Sequence, residues 1–379
     1  MILTITDKIL GNGSYGDVFL IKDENQKEYA VKCCLKNKYG IPSIIEPIIM
    51  STINHPNINS SILNYMSDEK LYMIQELAIS DLSSLKKQKI ELSKLKDWCF
   101  QLSQALYGLH NQNIIHCDIK SGNCLLFNNN NIKLTDFTIS VLKLNNESKY
   151  NHNVCTGTHR PLECLLGKYW DESLDIWSLG CTFYEIAYGE LLFPRQNNKD
   201  KLLMKKKYIN AILDWGERGP IKEVIDKEYY NTKYEKFELH KNFFNPSMVL
   251  FNDLLLKMLR INPKNRLTIK EVINHPFFDN HKIVNYNINK NNFMEISISE
   301  YARINRYLEE WTKNKNYQYY AIKLYKFSYN IDIEEKLKIN TCLFIVFKIF
   351  LQPITIFNNL DELILKELEI CNYNNFILI

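Results

Sequence analysis

The chain has 379 residues, with 47 Lys and Arg against 43 Asp and Glu for a net charge of +4, and it is 46% apolar and 24% charged. That composition is globular and excludes a disordered, collagen-like or disulfide-scaffold protein. The near balance of charge supplies no basic patch or stripe to track phosphates, so no nucleic acid partner is expected, and at ~100 to 200 residues per domain the length fits two or three domains.

The opening MILTITDKIL lacks the order of a secretory signal, and the ten cysteines include no CxxC pair. Both point to a reducing, intracellular compartment, cytoplasmic or nuclear. Three β-branched and aromatic runs follow as predicted strands: ITDKIL, DVFLIK and EYAVKCCL. After Ile90 the period changes. Leu95, Trp98, Cys99, Leu102, Ala105, Leu106 and Leu109 recur at helical spacing, and further helices follow Pro161. The stretch Asn280 to Asn292 reads as a linker, and helical patterning resumes after Ser297. The most apolar stretch, Cys342 to Phe350, is short of the ~20 residues of a membrane span and carries Lys348, so no membrane partner is expected.

Four segments carry chemistry. Gly11, Gly13 and Gly16 lie between two predicted strands, where a backbone without side chains can approach polyphosphate. The next strand supplies Lys32, placed to meet nucleotide phosphates. His116-Cys117-Asp118-Ile119-Lys120-Ser121-Gly122-Asn123 is followed by Leu134-Thr135-Asp136-Phe137-Thr138. Two carboxylates and an asparagine so spaced suit a hydroxyl-activating base and two metal ligands. The bland readings are an ordinary glycine turn and a solvated strand lysine.

In this order the elements resemble a eukaryotic-type serine/threonine protein kinase, most similar to the cyclin-dependent branch, over residues 4–281. Arg160-Pro161-Leu162-Glu163, Asp175-Ile176-Trp177 and Asn262 to Arg266 agree with it, as does Ile41-Pro42-Ser43-Ile44-Ile45-Glu46. The resemblance implies an α+β fold: a two-lobed kinase domain over 1–281 (small lobe 1–78, large lobe 79–281), a linker over 282–296 and a small all-α domain over 297–379. It implies ATP and Mg2+ as cofactors and protein substrates. Asp118 would take the hydroxyl proton, Lys120 would neutralise charge on the transferred phosphoryl group, Thr156 with Lys120 fits the serine/threonine branch as a further catalytic residue, Lys32 would pair with Glu46, and Asn123 and Asp136 would hold the metal. Leu10, Val18, Ala30 and Leu125 would wall the adenine, with Glu76 to Ala78 as hinge, Asp81 near the ribose and Gln75 as gatekeeper. Glu163 and Arg266 would form a buried structural ion pair.

Four departures bear on activity. Cys117 stands where the family has a phosphate-reading arginine, and Asn151 where it has the phosphorylated threonine, so activity is expected not to need phosphorylation of this segment. Thr138 replaces a glycine. Pro47 follows Glu46 and disfavours a helical conformation there, so Glu46 is expected as an N-cap whose ion pair to Lys32 is poorly formed in the isolated kinase part. The rival reading is a pseudokinase scaffold. Residues 297–379 resemble the first half of a cyclin box, with Lys348 and Asp361 as its kinase-contacting pair. An intramolecular or intermolecular cyclin-type partner is therefore expected, the alternative being an unrelated helical bundle.

Overall fold

The structure, a computed structural model, describes residues 3–13, 16–35, 46, 49–50, 53–66, 70–86, 88, 90–143, 150, 154–193, 201–217, 239–283 and 376–378. The chain divides into two compact units: Met1–Asn54 with Asn59–Leu77 and Asn287–Ile379, and His55–Ile58 with Ala78–Tyr286.

The first unit is built on a sheet of β1 (Leu3–Gly13), β2 (Gly16–Asp23), β3 (Glu28–Leu35), β4 (Ser61–Met66) and β5 (Lys70–Glu76) in the order β1-β2-β3-β5-β4. Each of these five strands pairs antiparallel with its neighbour. Alternation sorts their side chains by face. Ile21, Tyr29, Val31 and Ile74 make an apolar cluster with Phe19, Leu63 and Tyr72 packed against it. The residues between them in sequence, Leu20, Ala30, Lys32 and Gln75, point to the other face.

In the second unit the 3.6-residue spacing read from the sequence becomes α1 (Leu92–Asn111), which buries Leu95, Trp98, Cys99, Leu102, Ala105, Leu106 and Leu109. Asn113, at φ 57, turns the chain after it into β7 (Ile114–Ile115). The short β6 (Ser80–Asp81), β8 (Cys124–Leu126) and β9 (Ile132–Leu134) form a sheet in the order β6-β8-β9, and β10 (Val141–Leu142) pairs with β7. After α2 (Leu162–Leu165) comes α3 (Ser173–Tyr188), buried from Leu174 to Ile186. Gly189 ends it at φ 73, where a Cβ would fall 2.2 Å from the Lys86 carbonyl oxygen, so only glycine fits. Helices α4 (Lys201–Glu217), α5 (Val249–Met258) and α6 (Ile269–Ile273) complete the unit. A capping box starts α6: Thr268 Oγ1 accepts from the Glu271 N–H and the Glu271 carboxylate accepts from the Thr268 N–H.

The expected linker and helices beyond residue 283 lie outside the described residues, except for β11 (Phe376–Leu378). That segment is a strand, running parallel to β4 at Asn64, Tyr65 and Met66. No described helix is long and apolar enough to cross a membrane.

Candidate active site

The first unit carries the expected phosphate-binding half. Lys32 is opposite Val18 across the β2–β3 ladder, and Ala30 is opposite Gln75 across β3–β5, so these four share one face of the sheet. Lys32 Nζ donates to both carboxylate oxygens of Glu46, at 2.7 and 2.9 Å, and both side chains are buried. This corrects one expectation: Glu46 is helical, not an N-cap. In the full chain its pair with Lys32 is formed. Proline shifts the preference of the residue before it without forbidding the helix, and a buried ammonium aimed at the carboxylate outweighs that local bias. Pro47 lies outside the described residues.

Gly11, Gly13 and Gly16 stand at the β1–β2 turn, with Gly13 paired to Gly16 and Gly11 to Val18. A Cβ on Gly16 would lie 2.5 Å from the Cys33 carbonyl oxygen, so this glycine is required by the neighbouring strand. A Cβ on Gly11 would meet nothing within 4 Å, so its bare backbone borders open space of the kind a phosphate needs. Leu10 is 38% exposed beside it. Gln75 is buried and accepts from Asn59 Nδ2 at 2.7 Å, and Glu76 ends β5 exposed. Ser14 and Tyr15 lie outside the described residues.

The second unit carries the expected hydroxyl-activating half, and Asp118 is its centre. Oδ1 accepts from the Thr156 N–H at 2.9 Å and the Thr156 hydroxyl at 2.7 Å, while Oδ2 accepts from Lys120 Nζ at 2.6 Å and Asn123 Nδ2 at 3.2 Å. Four donors match the roughly four lone-pair positions of an ionised carboxylate. Lys120 Nζ also donates to Thr156 Oγ1 at 3.1 Å, so base, lysine and threonine form a closed ring of contacts.

The loop that presents Asp118 is held from behind. Asp175, fully buried at the start of α3, accepts from the backbone N–H groups of His116 at 2.8 Å and Cys117 at 2.9 Å, and contacts His110 Nε2 at 3.0 Å. Those bonds hold Cys117 at φ 68, a left-handed conformation that a residue with a side chain adopts only under such constraint. His116 Nδ1 accepts from the Asp118 N–H at 3.2 Å. Its Nε2 therefore carries the hydrogen and donates to the Thr135 carbonyl at 3.0 Å, joining the base to the next segment. The sequence reading treated Asp175 as a landmark only. The signal for its role was a carboxylate opening an otherwise apolar helix, DIWSLG.

Asn123 and Asp136 are brought together by the Thr135 N–H, which donates to the Asn123 carbonyl at 3.0 Å. Both N–H···O contacts of the Asn123 amide nitrogen go to Asp118, which leaves Oδ1 as the atom this side chain offers a cation. Asp136 sits at φ 66 and accepts from Thr138 Oγ1 at 2.7 Å. Among the described residues no group of three or more His, Cys, Asp or Glu is arranged to hold a metal. One amide and one carboxylate oxygen nevertheless fit Mg2+, a hard cation usually bound through one or two protein oxygens together with substrate phosphates. Asp81 is the N-cap of a short helix, accepting from the Ser83 N–H at 2.7 Å, and it pairs with Leu125 across β6–β8. Ala78, half-buried, begins the longer segment of this unit.

Where an arginine would read a phosphate, Cys117 is buried in an apolar cluster with Ile115, Val154, Cys155, Cys164, Trp170 and Leu174. Burial, and then the Asp175 charge, push the Cys117 thiol up, so it is unreactive. Tyr150 packs on this cluster. It exchanges two backbone hydrogen bonds with Trp170, at 3.0 and 2.8 Å, and their rings lie 4.9 Å apart. Asn151 lies outside the described residues. Farther along, Arg266 and Glu163 form the expected buried pair, Nη1 to Oε1 at 2.6 Å and Nη2 to Oε2 at 2.8 Å.

The protein kinase domain model matches residues 5–278, and the chain belongs to that family. It is similar to "Cell division control protein 2 homolog 3" of Trypanosoma brucei brucei, 30% identical over 71% of this chain and 90% of that protein. It is also similar to "Cyclin-dependent kinase G1" of Arabidopsis thaliana (29% identity over 71% of this chain) and "Cyclin-dependent kinase-like 5" of Mus musculus (25% over 73%). The matches span 48% and 30% of those two proteins. The chain thus contains a two-lobed serine/threonine kinase domain related to the cyclin-dependent kinases.

Proposed function

We propose that this chain transfers the γ-phosphate of ATP to serine and threonine hydroxyls of proteins, with Asp118 as the base. The observation that carries the reading is the ring of Asp118, Lys120, Thr156 and Asn123, with all four donors on one carboxylate. A substrate hydroxyl enters by replacing one of these donors. Its proton passes to Asp118, its oxygen bonds to the γ-phosphorus, and the bond to the bridging oxygen breaks to release ADP. Lys120 neutralises charge on the transferred group, and Lys32, fixed by Glu46, meets the other phosphates. Asn123 and Asp136 would hold Mg2+, which when bound would supply charge neutralisation to the phosphates. We assign Gly11, Gly13 and Gly16 to the phosphates, Leu10, Val18, Ala30 and Leu125 to adenine, and Asp81 to the ribose, following the family resemblance.

Substrate choice follows from backbone acceptors. Arg160 Nε donates to the Val154 carbonyl at 2.7 Å and Nη2 to the Cys155 carbonyl at 2.6 Å, while Cys155 is held at φ 66. Arg160 already occupies these carbonyls, so a substrate N–H brought beside them competes with a guanidinium for an acceptor, whereas proline brings none. We infer a preference for Ser-Pro and Thr-Pro, which a peptide library phosphorylated without regard to that position would overturn.

Asp118→Asn in a radiolabelled ATP assay tests the central reading. Turnover should fall ~10²- to 10⁴-fold with ADP binding retained. A variant as active as a parent that turns over would misplace the base, and a parent with no turnover above the no-enzyme background would make the chain a pseudokinase. For residues 297–379 the reading as a cyclin-type activator in cis is supported by the sequence pattern alone, since the family match stops at residue 278. Lys348→Glu in the full chain should then lower activity without affecting ADP binding, and unchanged activity removes the role.

A further inference from the structure

We propose that Thr138 is a positioning residue that presets Asp136 for the divalent cation. The inference rests on the assignment of Asp136 as a metal ligand and deepens it.

Asp136 occupies a left-handed backbone conformation, φ 66, one that disfavours most side chains and that Asp tolerates better than most. Two residues on, the Thr138 hydroxyl donates to Asp136 Oδ1 at 2.7 Å. Thr138 is itself 6% exposed and is not among the residues with positive φ, so its branched side chain is accommodated without strain. The segment is tied on either side. Phe137 is fully buried, with its ring 5.1 Å from that of His116, and its carbonyl accepts from the Ser140 N–H at 3.0 Å. Ser140 Oγ in turn donates to the His116 carbonyl at 3.0 Å. The hydroxyl therefore hangs from a tied frame and acts on one of the two side chains assigned to the cation.

A carboxylate on an unconstrained rotamer must lose torsional freedom when a cation arrives. Here Oδ1 is already engaged by a neutral donor, which restricts the plane of the group while leaving its charge in place. Partners of this kind typically change metal affinity ~10- to 100-fold. A glycine at 138 supplies neither the donor nor the restriction from branching at Cβ.

The probe is Mn2+ with ADP, added to the full chain and read as loss of the free-ion paramagnetic resonance signal. Thr138→Ser, which keeps the hydroxyl, should bind Mn2+ within about twofold of the parent. Thr138→Val, which keeps the branching, should bind about tenfold more weakly. ADP affinity without metal should be the same in both. The Mg2+ concentration for half-maximal activity should rise about tenfold in Thr138→Val and stay put in Thr138→Ser. Thermal melts establish that each variant is folded, and the pair Thr138→Ala against Thr138→Ser decides the matter should valine not be tolerated. Asp136→Asn separates the two levels of the argument. If it retains Mn2+, the metal assignment itself fails. If it loses Mn2+ while Thr138→Val and Thr138→Ala bind like the parent, the metal site stands and the role of Thr138 is overturned.

Discussion

Each unit holds a buried acid–base pair, and they are built differently. In the second unit Arg266 meets Glu163 with two parallel N–H···O bonds and spends further donors on the carbonyls of Arg260, Ser173 and Ile261, with its guanidinium 5.1 Å from the Trp177 ring centre. In the first unit Lys32 meets Glu46 through a single ammonium on a flexible stem. A planar fork wired into four partners fixes a fold, whereas a point charge on a chain of methylenes can be exchanged for another anion. The difference marks one pair as structural and the other as available to a nucleotide phosphate.

The largest test of that contrast is Glu163→Gln. It leaves the guanidinium buried without its counter-charge and should cost ~3 to 5 kcal/mol of stability, read by urea unfolding. Folded molecules should keep their turnover at low temperature. A loss of turnover with no loss of stability would reverse the roles of the two pairs.

A third buried acid, Glu185, sharpens the comparison through pH. Burial alone would push its carboxyl up, but His159 and Lys86 outweigh this and hold it at about 2. Because the folded value lies below the unfolded one, the stabilisation is present above about pH 4.3 and is lost as pH falls toward 2. A depression of this size is worth on the order of 3 kcal/mol. The stability gap between the parent and Glu185→Gln should therefore be full at pH 6 and shrink as pH falls from about 4.3. A gap independent of pH would show that the charge contributes nothing.

Glu46→Gln should act on chemistry instead, lowering kcat/KM about a hundredfold while the melting temperature falls by less than in Glu163→Gln. Equal losses in both measurements would erase the distinction. The smallest effect is expected at the Tyr150–Trp170 contact. Tyr150→Ala should cost ~1 kcal/mol and Tyr150→Phe almost nothing, because ring packing and backbone bonds carry the contact. A strong loss of activity in Tyr150→Phe would instead make the hydroxyl, and its modification, part of regulation.

Much of this was legible in the sequence because the residues that do the chemistry lie in short segments of fixed spacing. Asp118, Lys120 and Asn123 fall within six residues, so local chain geometry alone brings them together. Contacts made by distant residues were not legible. The bonds from His116 and Cys117 to Asp175 join positions 59 and 58 apart. Local preference also misled: Pro47 argued against a helical Glu46, and the distant charge of Lys32 decided the outcome. Thr138 read as a loss of freedom, because a sequence shows the missing glycine and not the hydroxyl's acceptor. The strand at Phe376–Leu378 was missed because three residues are too few for a period to appear.

That strand also bears on how the protein is made. Phe376 pairs with Asn64, 312 positions earlier in the chain, and its strand is the edge of the sheet, outside β4. At ~5 to 20 residues per second a ribosome needs roughly 15 to 60 s to make the intervening chain. For that interval the edge of β4 lacks the partner it has in the finished molecule, and unpaired strand edges are where nascent chains associate wrongly. Association at that edge during synthesis would compete with closure of the sheet.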